Sequence, residues 1–166
     1  MKDIIIREPR EDELQLVSTQ IAKSYRHTYR DSMDPAYLDS LTDDHWVPIL
    51  EKSIQRGDGL LIAEQSGKIV GSAVYGAMEG EPGRADLRAI YLQPGFLGKG
   101  LGHLLFTASE NAMRRRGFAG CALDVLTANK RAVDFYIRHG YTVTDTFEVD
   151  ENGTTLQCHT MKKDFM

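Results

Sequence analysis

The order of the secondary-structure patterns along the chain predicts a mixed α/β fold in a single domain, residues 1–166. Apolar or β-branched runs alternate with amphipathic helical patterns in the order β-α-α-β-β-β-α-β-α-β-β. Glycine- and proline-containing turns separate these runs, and no repeat, low-complexity tract or linker interrupts them. A chain of 166 residues has the usual size of one domain with a substantial core.

The N-terminal third combines one strand with helices. Asp3–Arg7 predicts a short strand, which Pro9 ends. Acidic residues then precede a helix with an apolar face formed by Leu14, Val17, Ile21 and Tyr25. A short helix is predicted over Pro35–Leu41, since proline is tolerated in a first turn, and a longer one over Asp43–Arg56, where Gly57 follows as a stop signal.

Three strands are predicted in the middle of the chain. Leu60–Glu64 and Lys68–Met78 flank Gln65–Gly67, which has the composition of a hairpin turn. A second turn is predicted over Glu79–Gly83 and a third strand over Arg84–Leu92.

The C-terminal part continues with alternating elements. A helical pattern from Leu101 to Arg116 is followed by a buried strand over Gly120–Leu126 and a short helix over Asn129–His139. The last predicted element is a hairpin, with strands over Tyr141–Val149 and Thr154–Lys162.

Composition and charge exclude several classes of protein. The net charge of −4 does not suit a nucleic-acid-binding protein. The N-terminal apolar run is too short for a signal peptide, and no stretch approaches the roughly 18 apolar residues of a membrane span, which predicts a cytoplasmic protein without membrane association. Cys121 and Cys158 lie far apart in apolar runs, so we expect buried free thiols and neither a disulfide nor a metal site.

Three glycines before and within the start of a helix indicate an anion site. Gly98, Gly100 and Gly102 follow a strand that ends at Leu92. Glycine lets the backbone approach a ligand closely, and N–H groups without a helical partner lie at the positive end of the helix dipole. The spacing is neither that of a dinucleotide-binding fingerprint nor that of a Walker motif. We therefore expect a phosphorylated ligand on residues 97–103.

Two motifs resemble those of the GCN5-related N-acetyltransferase (GNAT) superfamily. The segment Leu97–Gly102 is similar to the phosphate motif Gln/Arg-x-x-Gly-x-Gly/Ala of that family. The second motif comprises Asn129, Ala132, Phe135, Tyr136, Gly140 and Tyr141. The resemblance implies an α/β fold with a mixed central sheet of about seven strands, flanked by about four helices and splayed between the fourth and fifth strands. It also implies acetyl-CoA as the cofactor, without a metal.

The resemblance assigns cofactor contacts to three segments. The pantetheine arm is expected to pair, like an added strand, with the strand around Ile90, Tyr91 and Leu92. The pyrophosphate is expected on backbone N–H groups of the glycine turn, where Leu97 replaces the usual Gln or Arg. The other contacts implied are Gly98, Lys99, Gly100, Leu101, Gly102, His103, Asn129 and Tyr136.

Some of these residues have an alternative explanation. Asn129 also suits the N-cap of the helix that follows it. His103 lies one turn from the glycines, where it either touches adenine or phosphate or sits on the helix surface. Among the basic residues considered for the CoA phosphates, Lys99 and Lys130 are better placed than Arg131 and Arg114–Arg116.

Acetyl transfer to an amine makes three chemical demands. The amine must lose its proton, because an alkylammonium has a pKa of about 10 and no lone pair. The thioester oxygen must be stabilised as it gains charge, and the departing thiolate needs a proton. The resemblance implies a backbone N–H near residues 90–92 for the oxygen and Tyr136 as the general acid, since a phenol donates a proton at neutral pH.

Two carboxylates are candidates for the base. Asp86 lies where the histone acetyltransferase branch carries its Glu, and Asp124 lies where ribosomal-protein N-terminal acetyltransferases carry theirs. Asp124 is also the lone charge in the apolar run Cys121–Leu126, and a buried carboxylate is costly unless it has a partner or a function. The alternatives are that Asp124 has a structural partner, that Asp86 is simply exposed, or that water serves without a single base.

The resemblance implies that the helices after the first strand and the terminal hairpin form an acceptor wall. Acidic side chains in this wall predict a cationic acceptor, such as a polyamine, a lysine side chain, a peptide N-terminus or another small amine. The wall contains Asp31, Asp34, Asp39, Asp43, Asp44, Glu79 and Glu81. The resemblance also allows a homodimer, because many related proteins dimerise. The alternative function is a non-catalytic module on the same fold that senses acyl-CoA or binds a partner protein.

Overall fold

Seven strands form one mixed sheet in a computed structural model of the chain, which describes residues 3–166. Met1 and Lys2, the first residues of the predicted domain, lie outside the described residues. The strands are β1 (Ile4–Arg7), β2 (Gly59–Gln65), β3 (Lys68–Met78), β4 (Glu81–Leu92), β5 (Gly120–Leu126), β6 (Thr142–Glu151) and β7 (Thr154–Asp164). Their order in the sheet is β1-β2-β3-β4-β5-β7-β6, and only the β4–β5 pair is parallel.

Five α-helices flank the sheet, one more than the approximate number predicted. They are α1 (Leu14–Tyr29), α2 (Pro35–Ser40), α3 (Val47–Gln55), α4 (Leu101–Arg115) and α5 (Lys130–Arg138). Single 3-10 turns cover Glu11–Glu13 and Pro94–Phe96. No helix in residues 3–166 is long and apolar enough to span a membrane.

Two-residue turns set the register of two hairpins. Ser66 and Gly67 connect β2 to β3, and Asn152 and Gly153 connect β6 to β7; in each pair both residues have positive φ. Such turns match the right-handed twist of the strands, and the predicted hairpins are confirmed. The predicted turn over Glu79–Gly83 is too long, because β4 already begins at Glu81.

Apolar side chains pack on both faces of the sheet. One cluster lies beneath α4 and α5 and includes Leu105, Phe106, Leu123, Tyr136 and Met161. The other lies beneath α1, α2 and α3 and includes Val17, Ile21, Leu38, Leu50 and Ile62. The sheet therefore separates a face carrying α4 and α5 from a face carrying α1–α3.

The predicted splay is present between β4 and β5. The two strands pair only over residues 84–86 of β4 and 120–122 of β5. Beyond these residues β4 stays paired with β3 as far as Leu92, and β5 stays paired with β7 as far as Leu126. The sheet therefore opens into a cleft towards the C-terminal ends of both strands.

Candidate active site

The cleft between β4 and β5 exposes a strand edge. Residues 90–92, predicted to pair with the pantetheine arm, lie in the part of β4 that has separated from β5. An unpaired strand edge presents N–H and C=O groups that can take up an extended ligand as an added strand.

Buried polar side chains of α1 and β3 hold the end of β4 beside this cleft. Gln20 Nε2 donates to the carbonyl of Tyr91 (3.1 Å) and Ser24 Oγ to the carbonyl of Leu92 (2.8 Å). Ser72 Oγ donates in turn to Gln20 Oε1 (2.7 Å), and none of these three side chains belongs to a residue more than 3% exposed. The sequence analysis missed them; their only signal is polarity at positions within an apolar pattern.

A β-bulge lies in β4 where the strand passes the cleft. Val74 faces Ala89 and Tyr75 faces Leu87, so Arg88 is the extra residue on β4. A bulge redirects the side chains around it, and here it turns the Arg88 guanidinium towards Asp58 and Asp86.

The glycine turn forms a cradle of backbone donors at the start of α4. Gly98 and Gly100 have φ of +75° and +88°, a left-handed conformation that favours glycine. No side chain caps α4, and no described residue accepts a hydrogen bond from the N–H groups of Gly98 or Gly100. The Leu97 N–H instead lies 3.3 Å from the Pro94 carbonyl. The donors left for an anion are those of Gly98, Gly100 and the first turn of α4.

Arg131 is the cation placed against this turn. A Cβ built on Gly98 would lie 2.3 Å from Nη2 of Arg131, so the guanidinium covers the glycine. The sequence analysis ranked Arg131 below Lys99 and Lys130; all three residues are exposed. A positive charge beside unpaired N–H groups strengthens the attraction for phosphate.

His103, in the first turn of α4, is oriented by α5. Its Nδ1 lies 3.0 Å from Nε2 of His139, whose Nδ1 lies 2.8 Å from the carbonyl of Phe135. Because a carbonyl only accepts, His139 donates through Nδ1; in its neutral form its Nε2 accepts from His103. His103 then keeps Nε2 as its outward-facing nitrogen.

The remaining predicted contacts differ in what they offer a cofactor. Leu101 is fully buried, so only its backbone N–H is available. A Cβ on Gly102 would lie 3.3 Å from Leu92 and 3.6 Å from Phe135, which shows how closely α4 packs there. Asn129 Oδ1 accepts from the N–H of Ala132 (3.2 Å) and caps α5, as its alternative explanation predicted.

Tyr136 lies in the core beneath α5, with its ring 5.6 Å from those of Phe106 and Phe135. Burial raises the pKa of Tyr136 above its ordinary value, so the phenol keeps its proton at neutral pH. No described residue accepts a hydrogen bond from its hydroxyl. A protonated phenol without a partner is a competent proton donor.

Tyr136 lies within electrostatic range of tyrosines on two other elements. After desolvation, the next cause of its raised pKa is Tyr29, on α1 and thus on the opposite face of the sheet. Tyr136 likewise contributes to the raised pKa of Tyr91, which is chiefly due to burial. Tyr136 also belongs to the apolar cluster against which Ile90 and Leu92, in the separated part of β4, are packed.

Asp86 is half-buried on β4. Desolvation raises the pKa of its carboxyl, Arg88 opposes this effect, and the carboxylates of Asp124 and Asp58 add to it. Nη1 of Arg88 donates to Oδ2 of Asp86 over 3.0 Å. A raised carboxyl pKa lies closer to the operating pH, which suits a general base.

Asp124 is exposed, so the prediction of a buried lone charge is wrong. Leu123 and Val125 point into the core beneath α4 and α5, whereas the residue between them points to the other face, as alternation along a strand requires. Asp124 Oδ1 accepts from Thr160 Oγ1 (2.8 Å) of β7. Its charge contributes to the raised pKa of Asp86, so the two candidates for the base are neighbours.

Part of the acidic wall is engaged in local structure. Asp34 caps α2 through its side chain, and Asp43 lies 3.0 Å from Nη2 of Arg26. Glu81 forms an ion pair with Arg84. The net charge of the wall is therefore less available to a ligand than the sequence pattern indicates.

The two cysteines are buried free thiols, as predicted. Burial raises the pKa of Cys121 to about 12, which keeps this thiol protonated and a poor nucleophile. Within residues 3–166, no group of three or more His, Cys, Asp or Glu is arranged to hold a metal ion.

Comparison with known proteins identifies the family. Residues 19–141 match the model of the GNAT family of acetyltransferases. The chain belongs to the GNAT family. This acetyltransferase is 26% identical over 146 residues to spermidine N(1)-acetyltransferase of Thermoplasma acidophilum, a match that covers 86% of this chain and 91% of that protein.

Solved structures share the fold of this GNAT acetyltransferase. The PaiA N-acetyltransferase of Thermoplasma acidophilum, in complex with coenzyme A, matches with a TM-score of 0.78 and 22% identity over 98% of this chain and 99% of that one. YncA of Salmonella typhimurium, with its cofactor acetyl-CoA, matches with a TM-score of 0.77 and 18% identity over 98% and 94%. The predicted fold class, family and acetyl-CoA-dependent enzyme class are confirmed.

Proposed function

We propose that this GNAT acetyltransferase transfers the acetyl group of acetyl-CoA to a primary amine of a small cationic molecule, by direct attack in a ternary complex. The observation that carries the proposal is the cleft itself. Three further features support the proposal: the unpaired donors of the glycine turn, the protonated phenol of Tyr136, and the neighbouring carboxylates of Asp86 and Asp124.

The turn fits the pyrophosphate of the cofactor. The positive φ of Gly98 and Gly100 and the absence of a cap on α4 supply donors at the positive end of a helix dipole. Arg131 supplies a cation at the same place. Residues 90–92 offer a strand edge to the amides of the pantetheine arm, so backbone groups dominate the proposed binding.

Acetyl-CoA, when bound, supplies the acetyl group as an activated thioester. A new C–N bond forms to the amine as the C–S bond breaks, and Tyr136 donates its proton to the departing sulfur. A backbone N–H of residues 90–92 stabilises the carbonyl oxygen. The amine proton passes to Asp86, to Asp124 or to water; desolvation raises the pKa of the Asp86 carboxyl.

The cationic class of the acceptor has two supports. One is the relative named spermidine N(1)-acetyltransferase, which is similar over most of this chain. The other is the carboxylate content of the face carrying α1–α3, where Asp86 and Asp124 are neighbours. An ammonium group is attracted to such a face before it loses its proton.

The deciding experiment combines catalysis with binding. Release of free thiol from acetyl-CoA is followed with a panel of diamines, polyamines, lysine peptides and neutral amines, beside a thermal-shift titration with CoA. We expect turnover with cationic amines and a rise in melting temperature with CoA. Stabilisation by CoA without turnover on any amine would favour the alternative, a non-catalytic acyl-CoA sensor.

A further inference from the structure

Four tyrosines converge beneath the β6–β7 hairpin. The ring of Tyr25 lies 4.4 Å from that of Tyr29 and 6.1 Å from that of Tyr91. Tyr37 of α2 donates from its hydroxyl to Oε1 of Glu151, at the end of β6, over 2.7 Å. Tyrosines of α1, α2 and β4 thus lie near one another, and the hairpin places the Glu151 carboxylate against Tyr37.

This group of side chains extends from the hairpin to the cleft. Glu151 lies close enough to Tyr25 and Tyr29 to raise the pKa of both phenols, after the larger effect of their burial. Tyr91 lies in the part of β4 that has separated from β5, and Tyr29 in turn contributes to the raised pKa of Tyr136. A run of phenols therefore connects Glu151 with the general acid proposed above.

The composition of this site suits an organic cation. Among the described residues, Glu151 forms no ion pair, and Tyr37 is the partner that its carboxylate has. Its charge is thus uncompensated beside the phenol of Tyr37 and near the phenols of Tyr25 and Tyr29. An ammonium group can bind a carboxylate and an aromatic face together, and both interactions strengthen when water is excluded.

A carboxylate of this kind favours binding of the amino group that does not react. The reacting amine must lose its proton, whereas an ion pair with Glu151 stabilises the protonated form. We propose that Glu151 binds the distal ammonium of a diamine or polyamine, while the second amino group of the same molecule reaches the cleft at Tyr136. This rests on the proposed function and makes Glu151 a specificity-determining residue.

The first test compares two acceptors that differ by one charge. Values of kcat/KM are measured with propylamine and 1,4-diaminobutane for the wild type, Glu151→Gln and the control Glu148→Gln, an exposed carboxylate on the same strand. We expect Glu151→Gln to lower kcat/KM for the diamine about tenfold or more and for the monoamine less than twofold. Glu148→Gln should leave both values unchanged. Equal losses on both amines, or no loss, overturn the proposal.

Tyr37→Phe distinguishes recognition of the ammonium charge by Glu151 from a purely structural role of the Tyr37–Glu151 contact. This variant removes the hydrogen bond to Glu151 but keeps the carboxylate, so the preference for the diamine should persist. A loss of preference as large as that in Glu151→Gln would show that the contact only holds the hairpin against α2, and would overturn the proposal.

A binding measurement keeps the inference separate from catalysis. 1,4-Diaminobutane is titrated calorimetrically into the CoA-loaded wild type and Glu151→Gln. If the wild type acetylates no amine, the proposed function fails, yet weaker diamine binding by Glu151→Gln still supports the site. Equal dissociation constants in the two proteins overturn it.

Discussion

Nη1 of Arg88 lies 3.0 Å from Oδ2 of Asp86, and Nε of the same guanidinium lies 2.9 Å from Oδ2 of Asp58. Asp58 is buried and also pairs with Arg56 (2.7 Å). The orientation of Arg88 is therefore fixed from outside the cleft. Arg88 acts on Asp86 as a positioning residue and holds its pKa below the value that burial alone would produce.

Loss of Arg88 should move the pH dependence of catalysis if Asp86 is the base. A base must be ionised, so activity falls as pH drops through its pKa. Arg88→Gln removes the group that favours the ionised carboxyl, so we expect the acid limb of the kcat/KM profile to shift to higher pH. Asp86→Asn should abolish that limb.

Asp124→Asn is the matched control for this experiment, since it removes a neighbouring carboxylate on β5. With Asp86 as the base, Asp124→Asn should move the limb slightly to lower pH, because the Asp124 charge raises the pKa of Asp86. A limb that Asp124→Asn abolishes and Asp86→Asn retains assigns the base to Asp124. An acid limb that is unchanged in both Asp86→Asn and Asp124→Asn indicates that water accepts the amine proton.

Tyr136→Phe should depress turnover more than cofactor affinity. The phenol is the proposed proton donor to sulfur, and general acid catalysis contributes about 100-fold or more to rate. The ring stays packed against Phe106 and Phe135, so the Kd for acetyl-CoA should change little. Tyr75→Phe, a buried phenol on β3, is the control. An unchanged kcat in Tyr136→Phe would remove this residue from the acid role.

Arg131→Met should weaken CoA binding, whereas Lys130→Met should not. The Arg131 guanidinium covers Gly98 in the glycine turn. Loss of one charge-assisted contact to phosphate corresponds to an increase in Kd of about tenfold, which added salt should diminish. Isothermal titration with CoA at low and high salt measures both effects. Equal Kd values for the two variants would contradict the placement of Arg131.

Glu13 should make folding stability depend on acid pH. Hydrogen bonds from the Arg7 side chain and the Arg10 backbone N–H lower the pKa of Glu13 to about 2. A carboxyl with a depressed folded-state pKa stabilises the fold above its unfolded pKa, and this contribution is lost as pH falls towards 2. We expect Glu13→Gln to lower the melting temperature at pH 7. The difference in melting temperature between the wild type and this variant should become smaller between pH 4.5 and pH 2. The exposed Glu11→Gln serves as the control and should show no such trend.

The strands and the glycine turn could be predicted because their signals are local. Ser66 and Gly67 specify a hairpin by backbone preference, and Gly98 and Gly100 specify a turn that few other residues can adopt. The exposure of Asp124 could not be predicted, because an apolar run does not show that one face of β5 lies open beside a cleft.

Contacts between segments that lie far apart in the chain could not be predicted from the sequence either. Gln20 and Ser24 hold the end of β4 from α1, and Glu151 meets Tyr37 across 114 positions of the chain. Neither pair has a local pattern, since the partners are brought together only when α1 and α2 pack on the sheet and the hairpin closes over them.

The sequence by itself determined the order of elements, the glycine turn and the motif that pairs Asn129 with Tyr136, because dihedral preference and periodicity act over a few residues. Only the tertiary structure decided where the charges act. It set Arg131 on the turn, tied Asp86 to Arg88, exposed Asp124 and brought Glu151 to the tyrosines. The reason is physical: electrostatic interactions depend on distance through space, which the packing of the helices on the splayed sheet alone establishes.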